Sequence, residues 1–302
     1  MRICLVTNPG AGSSGQMERL IDVLGQVDAE VCETPGPGTG AEVAEASARS
    51  GADAVVACGG DGTINEVVNG LMRLEKADRP VFGVVPMGTG NDLARTLNLP
   101  RDPRDALALV AAALDDPARL CPLDVFHLDA PTTSRYGVNV AAGGFSGAVG
   151  EAMSSELKAR WGPLAYLIGT VKALPTLTPF ETHLELDGVA LDRCDLFNVF
   201  VANGRYVAGG KLVTDAADPS DGFLDVVLVH AGTAAEIAAL TARFVAGQHH
   251  QSPLVETFRA RTVRVEARPG LLFNVDGELV TQEPISFTMH PGALRAVFGH
   301  LN

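Results

Sequence analysis

The chain has 302 residues, 46% hydrophobic and 20% charged, with a formal net charge of −13. That length supports one large or two ordinary globular units with real cores. The acidic balance argues against nucleic acid as a partner, which demands a basic footprint, and against general electrostatic attachment to anionic lipid.

The N-terminal "MRICLVTNPG" enters a strand at once and lacks the apolar stretch of a signal peptide. Cys4, Cys32, Cys58, Cys121 and Cys194 form no C-x-x-C pair, and Cys4 and Cys58 sit in apolar strands, so they read as buried reduced thiols of a cytoplasmic protein. No apolar run approaches a membrane span, and "PLAYLIGTVKAL" is broken by Pro163, Gly169 and Lys172.

In chain order, "RICLVTNP" reads as a buried strand and "GQMERLIDVLGQV" as a helix. "EVCET" reads as a short strand and "GAEVAEASARSG" as a helix closed by Gly51. The apolar strand "ADAVVACGG" leads into the helix "TINEVVNGLMRL", and the strand "PVFGVVPMG" into the helix "NDLARTLNL". A further helix covers "PRDALALVAAALDD". Continuous apolar strands alternating with helices predict a parallel sheet covered on both faces.

After about residue 123 the pattern turns to strands: "LDVFHLD", "SRYGVNVAAGG", "ETHLELDGVALD", "CDLFNVFVANG", "GFLDVVLVH", "RTVRVEA", "LLFNVDGELV" and "PISFTMHPG". Asp187-Gly188 and Asp276-Gly277 signal hairpins. Helical patches fall at 148–174 and in "GTAAEIAALTARFVAG". The expected fold class is therefore α/β plus β. An N-terminal α/β nucleotide-binding domain (1–123) precedes a mostly antiparallel β-sandwich domain (124–302), with residues 292–302 packing back on the first.

Three glycine-rich loops follow predicted strands: "NPGAGSSG" (8–15), "GGDGT" (59–63) and "PMGTGND" (86–92). In an open parallel sheet such loops gather at the carboxyl ends of the strands, where ligands bind. Glycines let backbone N–H groups at the next helix start approach phosphate. Any one loop could merely turn the chain, with Thr63 capping a helix; three on one sheet edge favour a nucleotide site. Asp61 would repel a bare phosphate, which points to a divalent cation in the same place.

"GGDGTINEVVNGL" followed by "VVPMGTGNDLARTLNLP" resembles the catalytic domain of the diacylglycerol kinase family, and more narrowly its soluble bacterial lipid kinases. The resemblance extends to "KLVTDAADPSDGFLDVVLV" (211–229), "LLFNVDGELV" (271–280) and "PGALRAVF", and so covers essentially the whole chain. GGDGT alone is shared with NAD kinases; "GTGND" combined with "NVDGE" is more selective.

The resemblance implies that Asn8, Pro9, Gly10, Ala11 and Gly12 line nucleotide phosphates and that Thr39 contacts nucleotide. Gly59, Gly60, Asp61, Gly62, Thr63, Asn65 and Glu66 would form the central phosphate loop, and Gly88, Thr89 and Asn91 the third. Asp92 would join a carboxylate–water–Mg²⁺ network. Asp218, Asp221 and the Phe223 carbonyl would bind Mg²⁺. Glu278 would be the proton acceptor, with Asp276 beside it. The local sequence leaves other readings open: an Asp-Gly hairpin turn for "NVDGEL" and an ordinary turn for "DPSDG".

The implied activity is ATP-dependent phosphorylation of a lipid hydroxyl, most readily that of diacylglycerol, with ATP and Mg²⁺ as cofactors. The implied partners are a lipid substrate and a transient contact with the inner face of the membrane, with a homodimer left open. An NAD kinase-like phosphotransferase and a non-catalytic nucleotide- or lipid-binding regulator are the alternatives. Of the remaining candidates, His249 and His250 read as surface residues and His127 as packing. Arg259, Arg261, Arg264 and Arg268 read as a solvated sheet face, and 156–174 as a core helix or a border of the lipid path.

Overall fold

The computed structural model describes residues 1–8, 29–36, 38–144, 178–281 and 284–299. Pro9–Gly12 and the helices expected at 15–27 and 148–174 lie outside them.

The N-terminal half contains β1 (Ile3–Thr7), β2 (Ala29–Glu33), α1 (Gly40–Arg49), β3 (Ala54–Gly59), α2 (Asp61–Leu71), β4 (Val81–Pro86), α3 (Asp92–Thr96) and α4 (Pro103–Asp115). β2, β1, β3 and β4 pair in parallel in that order. Every residue of β1, β3 and β4 is buried, as continuous apolar strands require.

Alternate residues of these strands serve two cores. Cys4, Val6, Val55 and Ala57 pack with Ile64, Val67, Val68 and Leu71, the i, i+3, i+4, i+7 face of α2. Ile3, Leu5, Val56 and Cys58 pack with Ala106, Leu107, Val110 and Ala113 of α4. Each fully buried large aliphatic side chain contributes about 1.5–3 kcal/mol. The sheet thus presents Asn8, which follows β1, and the turns after β3 and β4 along one edge.

The remainder comprises β5 (Leu120–Ala130), β6 (Thr133–Gly137), β7 (Val140–Gly144), β8 (Phe180–Leu186), β9 (Val189–Ala190), β10 (Cys194–Ala202), β11 (Tyr206–Val207), β12 (Lys211–Leu212), β13 (Leu224–His230), α5 (Ala234–Val245), β14 (Val255–Ala260), β15 (Thr262–Arg268), β16 (Phe273–Val275), β17 (Glu278–Thr281) and β18 (Ile285–Val297). Pairing among these strands is antiparallel, and Phe126, Phe273 and Phe287 stand at the core with ring centroids 5.9 and 5.6 Å apart. The expected α/β-then-antiparallel-β organisation is therefore what the chain adopts. β18 joins the two parts: Ala296 pairs in parallel with Phe82 of β4, and Ala293 and Leu294 enter the core beneath α2.

Several local readings change. The helix expected over "NDLARTLNL" is only one turn and a half, Asp92–Thr96. Strand β14, "VETFRA", was not foreseen because its exposed residues give little apolar signal. Cys4 and Cys32 stand as a contacting pair across β1 and β2, Cα atoms 6.2 Å apart, with Cys32 in register with Val6, two residues further along β1. His249 is buried, with Nε2 2.6 Å from the Val213 carbonyl, because the turn after α5 folds it inward against Phe244.

Candidate active site

The loops after β3 and β4 meet back to back. A Cβ placed on Gly88 would lie 2.4 Å from the Gly60 Cα, and one on Gly60 would lie 3.2 Å from the Gly88 Cα, so this contact selects glycine on both sides. Asn91, in the left-handed region at φ 53°, accepts the Gly88 N–H on its Oδ1 and donates Nδ2 to the Gly88 carbonyl. Its side chain thereby closes the turn that carries the exposed Thr89. Asn8 follows β1 on the same edge, beside Gly59, because Thr7 is in register with Cys58.

Three helices begin here, and their N-termini are treated differently. At α1, Thr39 is spent on its own turn, bonding the Gly36 N–H and carbonyl. The Glu66 carboxylate fills that N-terminus, accepting from Gly38 N at 3.1 Å and Gly40 N at 2.7 Å. At α3, Asp61 accepts from Asp92 N at 2.9 Å and Leu93 N at 3.4 Å. At α2 no side chain caps the helix, and a Cβ at Gly62 would meet open space. Among the described residues no side chain fills the N-terminus of α2, an arrangement that suits an anion.

Asp61 therefore faces backbone donors of the next loop. Burial, with the Asp92 and Asp276 carboxylates adding, pushes its pKa from 3.8 up to about 6, against the pull of its two N–H donors. Asp92 in turn reaches into the second half. It accepts from Gly209 N at 3.0 Å and Gly210 N at 2.6 Å, and burial raises its pKa too. Both glycines have positive φ, which turns their successive N–H groups toward one carboxylate.

A second tie crosses from α2 to the hairpin β16–β17. Asp276 is buried and accepts four hydrogen bonds: from Val138, Asn139 and Val140 N–H groups and from Asn65 Nδ2, at 2.7–3.1 Å. Burial pushes its pKa up while those donors oppose it. Asp187-Gly188 forms the same turn, φ 51° and 81° against 49° and 97°, yet Asp187 is exposed and among the described residues its carboxylate bonds Arg261 and Thr262 at the start of β15. The two Asp-Gly turns differ in burial and in partners, not in backbone.

Glu278, two residues after Asp276, is linked to Asn65 of α2 through Arg135. Its Oε2 accepts from Arg135 Nη1 at 2.7 Å, and Arg135 Nη2 donates to Asn65 Oδ1. Asn69, one helical turn beyond Asn65, bonds the Tyr136 N–H and carbonyl at 2.9 Å each and so fixes β6 to α2. Residues 211 positions apart are held within one hydrogen-bonded cluster against α2, and the Asp276 carboxylate is near enough to Asp61 to help raise its pKa.

Comparison with known proteins gives the family and the fold. Residues 2–123 match the family model described as the diacylglycerol kinase catalytic domain, and 138–298 match the YegS C-terminal NAD kinase beta sandwich-like domain. The diacylglycerol kinases of Staphylococcus aureus (strain bovine RF122 / ET3-1) and Bacillus subtilis (strain 168) are each 31% identical, over 95% and 92% of this chain and 89% of their own length. The chain belongs to the diacylglycerol kinase family. A crystal structure of a diacylglycerol kinase from Bacillus anthracis superposes with a TM-score of 0.79 at 23% identity, covering 99% of this chain and 97% of that one. An NAD kinase from Archaeoglobus fulgidus in complex with ATP superposes at 0.55 and 16%, covering 99% and 93%, and shares the fold. As a member of this kinase family the protein uses ATP. Among the described residues no helix is long and apolar enough to cross a membrane.

The family resemblance also assigned a metal to Asp218, Asp221 and Phe223. These residues share one loop, but their side chains face elsewhere. Asp218 accepts from Ser220 N and Oγ; Asp221 pairs with Arg259 and accepts the Phe223 N–H. Arg259 and Arg261 stand over the Phe223 ring at 4.7 and 4.9 Å. Behind the loop, buried Asp225 is pushed to about 6 by burial, with Asp221 and Asp218 adding and Arg259 opposing, and its Oδ2 has no hydrogen-bond partner. Buried Asp124 accepts from Gly222 N and Gly292 N at 2.6 Å each. Among the described residues no three Asp, Glu, His or Cys side chains converge as a metal site. The loop offers carboxylate and carbonyl oxygens, the donor type Mg²⁺ takes, but Asp221 is taken by Arg259 and Asp218 by Ser220.

Arg135, Asn69, Gly209, Gly210, Asp124 and Asp225 were not singled out from sequence. Only Asn69 carries a local signal, its i, i+4 spacing from Asn65 on one helix face.

Proposed function

We propose that the protein transfers the γ-phosphoryl group of ATP to the primary hydroxyl of a lipid, with diacylglycerol as acceptor and phosphatidate as product. The single observation that supports this reading is the cluster in which Arg135 and Asn65 tie Glu278 and Asp276 to α2, the helix that follows the Gly59–Gly62 turn. A phosphoryl-transfer site needs a phosphate seat and a proton acceptor on opposite sides of one cleft. The N-terminus of α2, with the turns at Gly59–Gly62 and Gly88–Asn91, supplies the seat, and the first loop at Asn8–Gly12 would extend it.

Within this reading, Glu278 accepts the hydroxyl proton as the acceptor oxygen attacks. Asp276 and Asn65 hold the hairpin that carries it. Asp61 and Asp92 lock the third loop to the second and to residues 209–210. Mg²⁺ would supply neutralisation of phosphate charge, and Asp218, Asp221 and the Phe223 carbonyl, with Asp225 behind them, are the residues that the family resemblance would have hold it. The protein would meet its substrate at the inner face of the membrane, and sedimentation with diacylglycerol-containing liposomes tests that contact.

The fold shared with NAD kinases supports one rival, phosphorylation of NAD. Purified protein incubated with radiolabelled ATP and either a mixed lipid extract or NAD separates the two. Labelled phosphatidate is expected. Labelled NADP, or no labelled lipid, would overturn the proposal.

A further inference from the structure

Arg135 stands between two groups that the proposed reaction uses and has no part in the phosphate loops. Its guanidinium fork spans Glu278 Oε2, 2.7 Å from Nη1, and Asn65 Oδ1 on Nη2. Asn65 is itself bonded to buried Asp276. The strand bearing Arg135 is pinned to α2 through both backbone bonds of Tyr136 to Asn69. Arginine is suited to this task because its planar donors are fixed relative to one another, so two acceptors held on one fork are also oriented.

Glu278 lies on a strand that pairs on one side with β16, and its side chain is 44% exposed. A carboxylate in that position has rotameric freedom of its own. With Oε2 committed to Arg135, Oε1 has no partner among the described residues. A pair this exposed contributes only about 0–1 kcal/mol to stability, so its geometry points to a role other than holding the fold.

We propose that Arg135 is a positioning residue: it fixes the Glu278 carboxylate relative to Asn65 of α2 so that Oε1 is aimed at the acceptor hydroxyl. This rests on the reading of Glu278 as proton acceptor. Arg135 touches neither substrate in this role and acts through Glu278.

The test compares wild type, R135A and R135K for turnover of ATP with dioctanoylglycerol, with R135Q carried in parallel in case R135A does not fold. Misplacing a reacting group by about 1 Å costs about 10²-fold, so kcat of R135A is expected to fall by that order, with KM for both substrates within about twofold of wild type. Added guanidinium ion should restore part of the lost kcat in R135A, which a merely structural role would not allow. R135A/E278Q should be no slower than E278Q alone. Retention of kcat within about threefold, a loss confined to KM, or additivity in the double variant would overturn the role of Arg135 alone. A wild type without turnover on the lipid would overturn the reading of the site and this role together.

Discussion

Asp61 is the residue whose presence in a glycine loop is hardest to justify by phosphate binding, and Asp61→Asn tests the explanation offered by its surroundings. Its pKa rises from 3.8 to about 6 in the folded protein. The sign follows from proton counting: between those values the folded state binds more protons than the unfolded one, so this group's contribution to stability falls as pH rises. At 1.36 kcal/mol per unit, the ionised carboxylate costs about 3 kcal/mol at pH 7 relative to its neutral form. Asparagine keeps an oxygen for the N–H groups of Asp92 and Leu93 and removes the buried charge. D61N should therefore be more stable than wild type at pH 7, by about 1–3 kcal/mol once a weaker acceptor is allowed for. Urea unfolding followed by circular dichroism from pH 4 to 8 gives the difference between the two proteins. That difference should be near zero at pH 4, grow through the interval up to about 6 and then level off. A D61N protein less stable than wild type at pH 7, or a stability difference independent of pH, would refute the assignment of a buried, costly charge at this position.

Four other outcomes are expected. Asp276→Ala strands four buried donors and should destabilise the protein by about 3 kcal/mol or more, whereas Asp187→Ala in the matching exposed turn should cost about 1 kcal/mol; paired urea denaturation curves check the contrast. Gly88→Ala drives a methyl against the Gly60 backbone and should raise KM for ATP together with a loss of stability, read by nucleotide titration and thermal melting. Asp92→Ala frees the Gly209 and Gly210 N–H groups, and hydrogen exchange at residues 206–212 should quicken while β10 and β13 stay protected. Glu278→Gln should lower kcat by about 10²–10⁴-fold, the usual contribution of a general base.

The alternation of buried strands with amphipathic helices was legible because each signal is local: Ile64, Val67, Val68 and Leu71 announce a helix face, and "AVVACG" announces a strand covered on both sides. The glycine loops were legible for the same reason. What could not be read was which polar group answers which. Asp61 spends its carboxylate on backbone N–H groups some 31 residues away, and Glu66 on those of a helix 26 residues earlier. Neither pairing leaves a trace in spacing. Arg135 looked like one more charge on a half-exposed strand, and only the meeting of α2, β6 and β17 gives it two partners. The two Asp-Gly turns are indistinguishable locally; burial of Asp276 under α2 separates them. Cys4 and Cys32 lie 28 positions apart and become neighbours only through the register of two parallel strands.

The central claim is that Glu278 accepts the proton in a cleft built from both halves of the chain. It is tested most directly by measuring ATP binding and phosphatidate formation side by side in wild type and E278Q. The account predicts unchanged ATP affinity with transfer reduced to background. Wild-type turnover in E278Q would contradict it.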